Sequence, residues 1–138
     1  MNIMVVDAQG GGLGKQLVSA IKKNIEDAKI IAVGTNSAAT TAMLKAGADV
    51  GATGENPVIV CSKEADFIVG PIGIVIADAM YGEITPKMAT AISQSRAKRI
   101  LLPMNHCDNV IAGVENINVA TAIESVVNHI KGSETCNN

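Results

Sequence analysis

The feature that most limits the fold lies in residues 3 to 25. An apolar run, Ile3–Val6, stops at the turn "DAQGGGLGKQ" (Asp7–Gln16) and gives way to Leu17, Val18, Ile21 and Ile25 at helical spacing. The run is β-rich and too short for a buried helix, whereas the later spacing lays one apolar stripe along a helix with Lys15, Ser19, Lys22 and Lys23 opposite it. Such a strand–turn–helix unit buries both apolar surfaces only by folding the helix back onto a sheet.

The unit recurs along the chain. Lys29–Val33 is a second apolar run, ending at "GTN" (Gly34–Asn36) and followed by Ala39, Ala42, Met43 and Ala46 at helical spacing before Gly47. Asp49–Thr53 reads as a short third strand and "GENP" as a helix start, with Asn56 as cap and Pro57 in the first turn. Asp66–Val69 is a strand that ends at "GPIG" (Gly70–Gly73); the apolar stretch through Ala79 fits a short buried helix or more strand equally well. Thr85–Pro86 predicts a helix start, since a threonine hydroxyl caps free amides and proline presets φ, with Met88, Ala91 and Ile92 facing inward. Lys98–Leu102 is the next strand, closed by Pro103, and Val110–Val114 reads as a short edge strand. Val119, Ile123, Val126, Val127 and Ile130 share one face of a last helix. Strands alternating with helices imply a small α/β domain, doubly wound, with a mostly parallel sheet of about five strands and helices on both faces. It spans residues 1–131, leaving 132–138 as a flexible polar tail.

Composition narrows the function classes. A chain of 138 residues forms one domain large enough to need no staple, and the odd cysteines Cys61, Cys107 and Cys136 lack the paired spacing of a disulfide framework or a zinc site. A reducing cytoplasm is the expected home. The start "MNIMVVDAQG" lacks the basic head and long apolar core of a signal peptide, and the longest apolar run, Phe67–Ala77, is broken by Gly70, Pro71 and Gly73. No export and no membrane insertion are expected. Net charge is −2 with scattered basic residues, and Phe67 and Tyr81 are too few aromatics for a stacking platform, which argues against nucleic acid as a partner. A 48% hydrophobic content predicts a homo-oligomer.

In a doubly wound sheet, ligands bind beyond the carboxyl ends of the strands, near the point where strand order reverses. Asp7–Gly14, Gly34–Asn36, Gly70–Gly73 and Met104–Cys107 each follow a strand, so four loops are expected to converge on one edge. The first is a ready anion site, because exposed amides and the helix dipole at a helix N-terminus favour negative charge. Its spacing meets no standard fingerprint. G-x-G-x-x-G fails because Gly14 comes one residue early after Gly10 and Gly12. The short-chain dehydrogenase turn G-x-x-x-G-x-G fits Gly12 and Gly14 but meets Ala8 at its first glycine, and Tyr81 is followed four residues later by Thr85 where their catalytic lysine would stand. "GGGLGK" is similar to the turn of the deviant Walker family, yet Gln9 and Gln16 replace the glycine and the magnesium-binding hydroxyl of a P-loop.

Thr35 and Asn36 stand where an acid would hold the ribose of NAD, a substitution that leans toward NADP or toward no dinucleotide. NADP, NAD or another nucleotide therefore remain the cofactors to test. The residues expected to contact a phosphorylated ligand are Asp7, Gln9, Gly10, Gly11, Gly12, Leu13, Gly14, Lys15, Thr35, Asn36, Gly70, Pro71, Gly73 and Asn105. Close packing of helix on strand is the competing explanation for the glycines. His106 and Cys107 place an imidazole and a thiol at the same edge as weak catalytic candidates, without the spacing of a metal cage. Glu55 and Glu83 are further polar residues in glycine-bearing loops, with no role that the sequence ranks.

The segments "DAQGGGLGK", "GTNSAATTAMLKAGADVGATGEN", "GEITPKMA" and "LLPMNHC" resemble a family of small bacterial proteins known only as a domain of unknown function. The resemblance spans nearly the whole chain, with Ala8 standing where members carry glycine. It implies a Rossmann-like fold and a cytoplasmic origin, and supplies no catalytic residues. Three functions stay open: a binding module for a nucleotide or other phosphorylated small molecule, an NAD(P)-linked oxidoreductase, and an oligomeric scaffold or regulatory protein without ligand.

Overall fold

The computed structural model describes residues 1–104 and 108–135. Its sheet has five strands, β1 (Asn2–Asp7), β2 (Lys29–Gly34), β3 (Val50–Thr53), β4 (Phe67–Pro71) and β5 (Lys98–Leu102), in the order β3-β2-β1-β4-β5. Every neighbouring pair is parallel, with Ile3 opposite Ile30 and Phe67 at the centre. The apolar runs are continuous because a central parallel strand is covered on both faces.

Helices α1 (Gly12–Asn24), α2 (Ser37–Lys45) and α5 (Val119–Thr135) cover one face, α3 (Glu55–Cys61) and α4 (Pro86–Gln94) the other. Ile3 and Val5 of β1 point into the first layer, against Leu17, Val18 and Ile21 of α1 and Val126 and Ile130 of α5. Met4 and Val6 point into the second, against Val58, Met88 and Ile92. The period of two along β1 thus feeds two separate cores. Strand order reverses between β1 and β4, which puts the crevice of a doubly wound sheet beside the Asp7–Gly14 turn.

Several local expectations change. Helix α1 starts at Gly12, not Gly14, and α3 starts at Glu55 with Gly54 as N-cap, so Asn56 sits inside the helix and caps nothing. The stretch after β4 is neither helix nor strand throughout: a 3-10 turn covers Ile72–Val75, and turns follow to Ile84. Val110–Val114 forms no strand. It is an exposed loop in which the Val114 amide bonds the Ile111 carbonyl and Gly113 is left-handed, so its apolar residues have no neighbouring strand to pair. The last helix continues through Gly132 to Thr135, with Ser133 donating to the carbonyl of His129. Thr85 does cap α4, its hydroxyl accepting from the Met88 amide at 3.2 Å. No helix among the described residues is long and apolar enough to cross a membrane.

Candidate functional site

Because all strands run parallel, their C-terminal ends share one edge, and hydrogen bonds stitch its loops together. The Thr35 amide donates to the Asp7 carbonyl at 3.1 Å and the Gly54 amide to the Gly34 carbonyl at 2.9 Å. Asp7, the last residue of β1, is buried; its Oδ1 accepts from the Ala8 amide at 2.8 Å and its Oδ2 from the Gly14 amide at 2.6 Å. Gly11 is the N-cap of α1 and has no side chain to cap with, so this strand carboxylate serves the third amide of the helix instead. Burial pushes the Asp7 carboxyl above its ordinary value, and the Glu83 charge adds to that, against the two amides that favour the ionised form.

The four glycines of the turn separate into two kinds. Gly11 is left-handed, with φ 72, and a Cβ there would lie 2.7 Å from the Ala39 Cα; at Gly14 it would meet the Met43 sulfur at 2.6 Å. Packing requires both. A Cβ on Gly10 or Gly12 would meet nothing within 4 Å, and neither has a left-handed φ. Among the described residues the amides of Gly10, Gly12 and Leu13 have no acceptor, while Gly11 donates to the Ala8 carbonyl. Lys15 is exposed and lines a cleft of about 390 Å³ with Ser37, Thr41 and Lys45, between α1 and α2. Larger cavities lie elsewhere, one between α3 and α4, two along β5 and α5, and one of about 410 Å³ between Pro103 and the loop at Val110–Ile117.

Thr35 and Asn36 do reach the edge, where Glu83 organises them. Glu83 Oε1 accepts from the Gln9 amide at 3.1 Å, the Thr35 hydroxyl at 2.8 Å and the Asn36 side-chain amide at 2.8 Å. Asn36 also caps α2, accepting from the Ala39 amide, and donates to the Gln9 carbonyl. Partial burial raises the Glu83 carboxyl, but the three donors outweigh it and hold it below its ordinary value. A carboxylate thus stands at the end of β2 although the sequence there has none. It comes from the loop after β4, where Asp78, Met80, Tyr81 and Gly82 are all left-handed. Each such non-glycine residue costs roughly 1–2 kcal/mol. The buried side chains of Ala79, Met80 and Ile84 and the bond from the Asp78 amide to the Ile84 carbonyl, 2.7 Å, over-determine the loop.

Gly70, Pro71 and Gly73 are buried, and a Cβ on Gly70 would lie 2.5 Å from the Val6 carbonyl oxygen, so close strand packing accounts for that glycine. Glu55 bonds the Thr85 hydroxyl at 2.5 Å, tying α3 to the start of α4. Cys61 is half-buried against the α3–α4 core, and burial pushes its thiol up. Asn105, His106 and Cys107 lie outside the described residues. Sequence reasoning missed Glu83; its only signal was an acid inside a glycine-bearing loop.

With the geometry in place, comparison with known families is informative. The model of a family described as "Domain of unknown function (DUF3842)" matches residues 2–135. The chain belongs to that family. No curated protein and no solved structure matches it. Family membership agrees with the resemblance seen in the sequence and assigns no activity, so a function for this family member has to be argued from its own edge of the sheet.

Proposed function

We propose that the protein binds a nucleotide or another phosphorylated small molecule at the β1–α1 turn. The observation that carries this reading is the pair Gly10 and Gly12. Neither backbone conformation nor packing calls for glycine at these positions, and glycine in place of alanine at a helix start costs stability. Close approach of a ligand to the backbone supplies the missing reason. The amides of Gly10, Gly12 and Leu13 and the positive end of α1 then face the anion, with the Lys15 ammonium within the same turn of helix. Asp7 and Glu83 already occupy the Gly14 and Gln9 amides, so those two carboxylates shape the turn and leave the three central amides to the ligand.

Thermal unfolding with pyrophosphate, ADP, ATP, NAD, NADP and FMN tests the reading, since a ligand that binds only the native state raises the melting temperature. A saturable rise with at least one phosphorylated ligand, lost in Gly12→Val, is expected. No rise at millimolar concentrations of any of them contradicts the proposal and favours a scaffold without ligand.

We also infer self-association in a reducing, cytoplasmic setting. Exposed Leu44 and Val50 at the β3 edge, and Val110, Ile117 and Val119 before and at the start of α5, are the apolar surfaces that a second copy would cover. A monomeric mass by light scattering contradicts it.

A further inference from the structure

Three features outside the glycine turn are candidates for further chemistry: the groove between α3 and α4, the exposed 108–118 loop, and the unsatisfied half of the Glu83 carboxylate. Only the last is built into a defined place. Three donors from two different loops converge on Glu83 Oε1, which locks the carboxylate at the end of β2, while among the described residues Oε2 has no partner. The lock fixes one oxygen and leaves the other as a preset acceptor, on a loop whose left-handed residues Asp78 and Met80–Gly82 are held in place by the buried side chains of Ala79, Met80 and Ile84. A carboxylate with one free oxygen suits paired hydroxyl donors and repels a phosphate.

We propose that Glu83 determines which nucleotide the site takes: its free oxygen accepts the vicinal hydroxyls of an unmodified ribose and turns away a 2′-phosphate. The inference rests on phosphate binding at the β1–α1 turn, to which Glu83 is joined through the Gln9 amide. It reverses the lean toward NADP that Thr35 and Asn36 give in the sequence, because those two residues serve as donors that position the acid. The opposite preference has its own physical basis, since Lys15 and Lys45 line the neighbouring cleft with Ser37 and Thr41 and would attract a second phosphate.

Isothermal titration of the full chain with ADP, 2′-deoxy-ADP, ADP carrying a 2′-phosphate, and inorganic pyrophosphate decides between them. ADP is expected to bind about tenfold or more tightly than 2′-deoxy-ADP, the factor for one hydrogen bond to a charged group, and the 2′-phosphorylated compound more weakly still. Glu83→Gln keeps an acceptor for Gln9, Thr35 and Asn36 but loses the charge, and lifts the rejection of the 2′-phosphate. Equal affinity for ADP and 2′-deoxy-ADP, or preference for the 2′-phosphate, overturns the role of Glu83, and does so without any variant. Pyrophosphate binding with no discrimination among the ribose forms leaves the turn's reading standing and removes this one; failure of both pyrophosphate and ADP to bind removes both.

Discussion

Adding one methyl group to each glycine of the turn in turn separates glycines held by packing from glycines held open. At Gly11 an alanine must adopt φ 72, and its Cβ would meet the Ala39 backbone at 2.7 Å. The left-handed conformation costs about 1–2 kcal/mol and the overpacking about 1–3 more, because a backbone atom cannot swing aside. The loss is then at least about 2 kcal/mol, or more than about 6 °C in melting temperature at about 3–5 °C per kcal/mol for a domain of this size. At Gly12 the new Cβ meets nothing within 4 Å, at the first residue of α1. Alanine there restricts the unfolded chain and raises stability by about 0.4–1 kcal/mol, which is about 1–5 °C. Circular dichroism melts without ligand give both numbers, and titration with pyrophosphate gives the second half: Gly12→Ala is expected to be more stable and to bind less. Destabilisation by Gly12→Ala refutes the open-space reading, and undiminished binding in a stabilised variant refutes the ligand's claim on that glycine.

Glu83→Ala strands donors on Gln9, Thr35 and Asn36 and is expected to cost about 1–3 kcal/mol in urea unfolding; a loss below measurement error contradicts its place as the link between the loops. Its depressed carboxyl contributes stability that is present above the ordinary glutamate value and lost as pH falls through the lower folded value, so Glu83→Ala flattens the acid limb of the stability curve. Asp7 has the opposite sign: its raised carboxyl stabilises the fold below the ordinary aspartate value and loses that contribution as pH rises through the raised folded value, a slope that Asp7→Asn removes. Lys22 lies 2.6 Å from Asp49 on the surface, and Lys22→Ala is expected to cost at most about 1 kcal/mol and less in high salt. Asp49→Ala costs more, about 1–3 kcal/mol, because the Ile30 amide at 2.8 Å loses its acceptor too; equal costs contradict that assignment.

The architecture was legible because strands buried on both faces write themselves as short unbroken apolar runs. Ile3–Val6 and Lys29–Val33 fall inside β1 and β2, and Lys98–Leu102 is β5 itself. Where the same composition lies on the surface, the signal misleads: Val110–Val114 looks like a strand and is an exposed loop, since residue type records apolarity but not the presence of a neighbour. The Asn–Pro pair at 56–57 marks a cap and first turn in sequence, yet α3 begins two residues earlier, at Glu55, and its cap is Gly54, without a side chain. Three adjacent glycines are alike in sequence, although Gly11 is fixed by Ala39 and its neighbours are free. The acid at the end of β2 was out of reach altogether. Glu83 is 74 residues from Gln9 in the chain, and only the left-handed loop after β4 brings the two together.

The backbone amides of the β1–α1 turn report ligand binding there directly. In a ¹⁵N-resolved titration with ADP, the Gly10, Gly12 and Leu13 amides, which have no acceptor among the described residues, are expected to shift strongly and saturably. Those of Gly14 and Gln9, held by Asp7 and Glu83, should shift less. Binding that leaves Gly10, Gly12 and Leu13 unmoved and perturbs the groove between α3 and α4 instead, around Lys63, Lys87 and Arg96, contradicts a phosphate site at the β1–α1 turn.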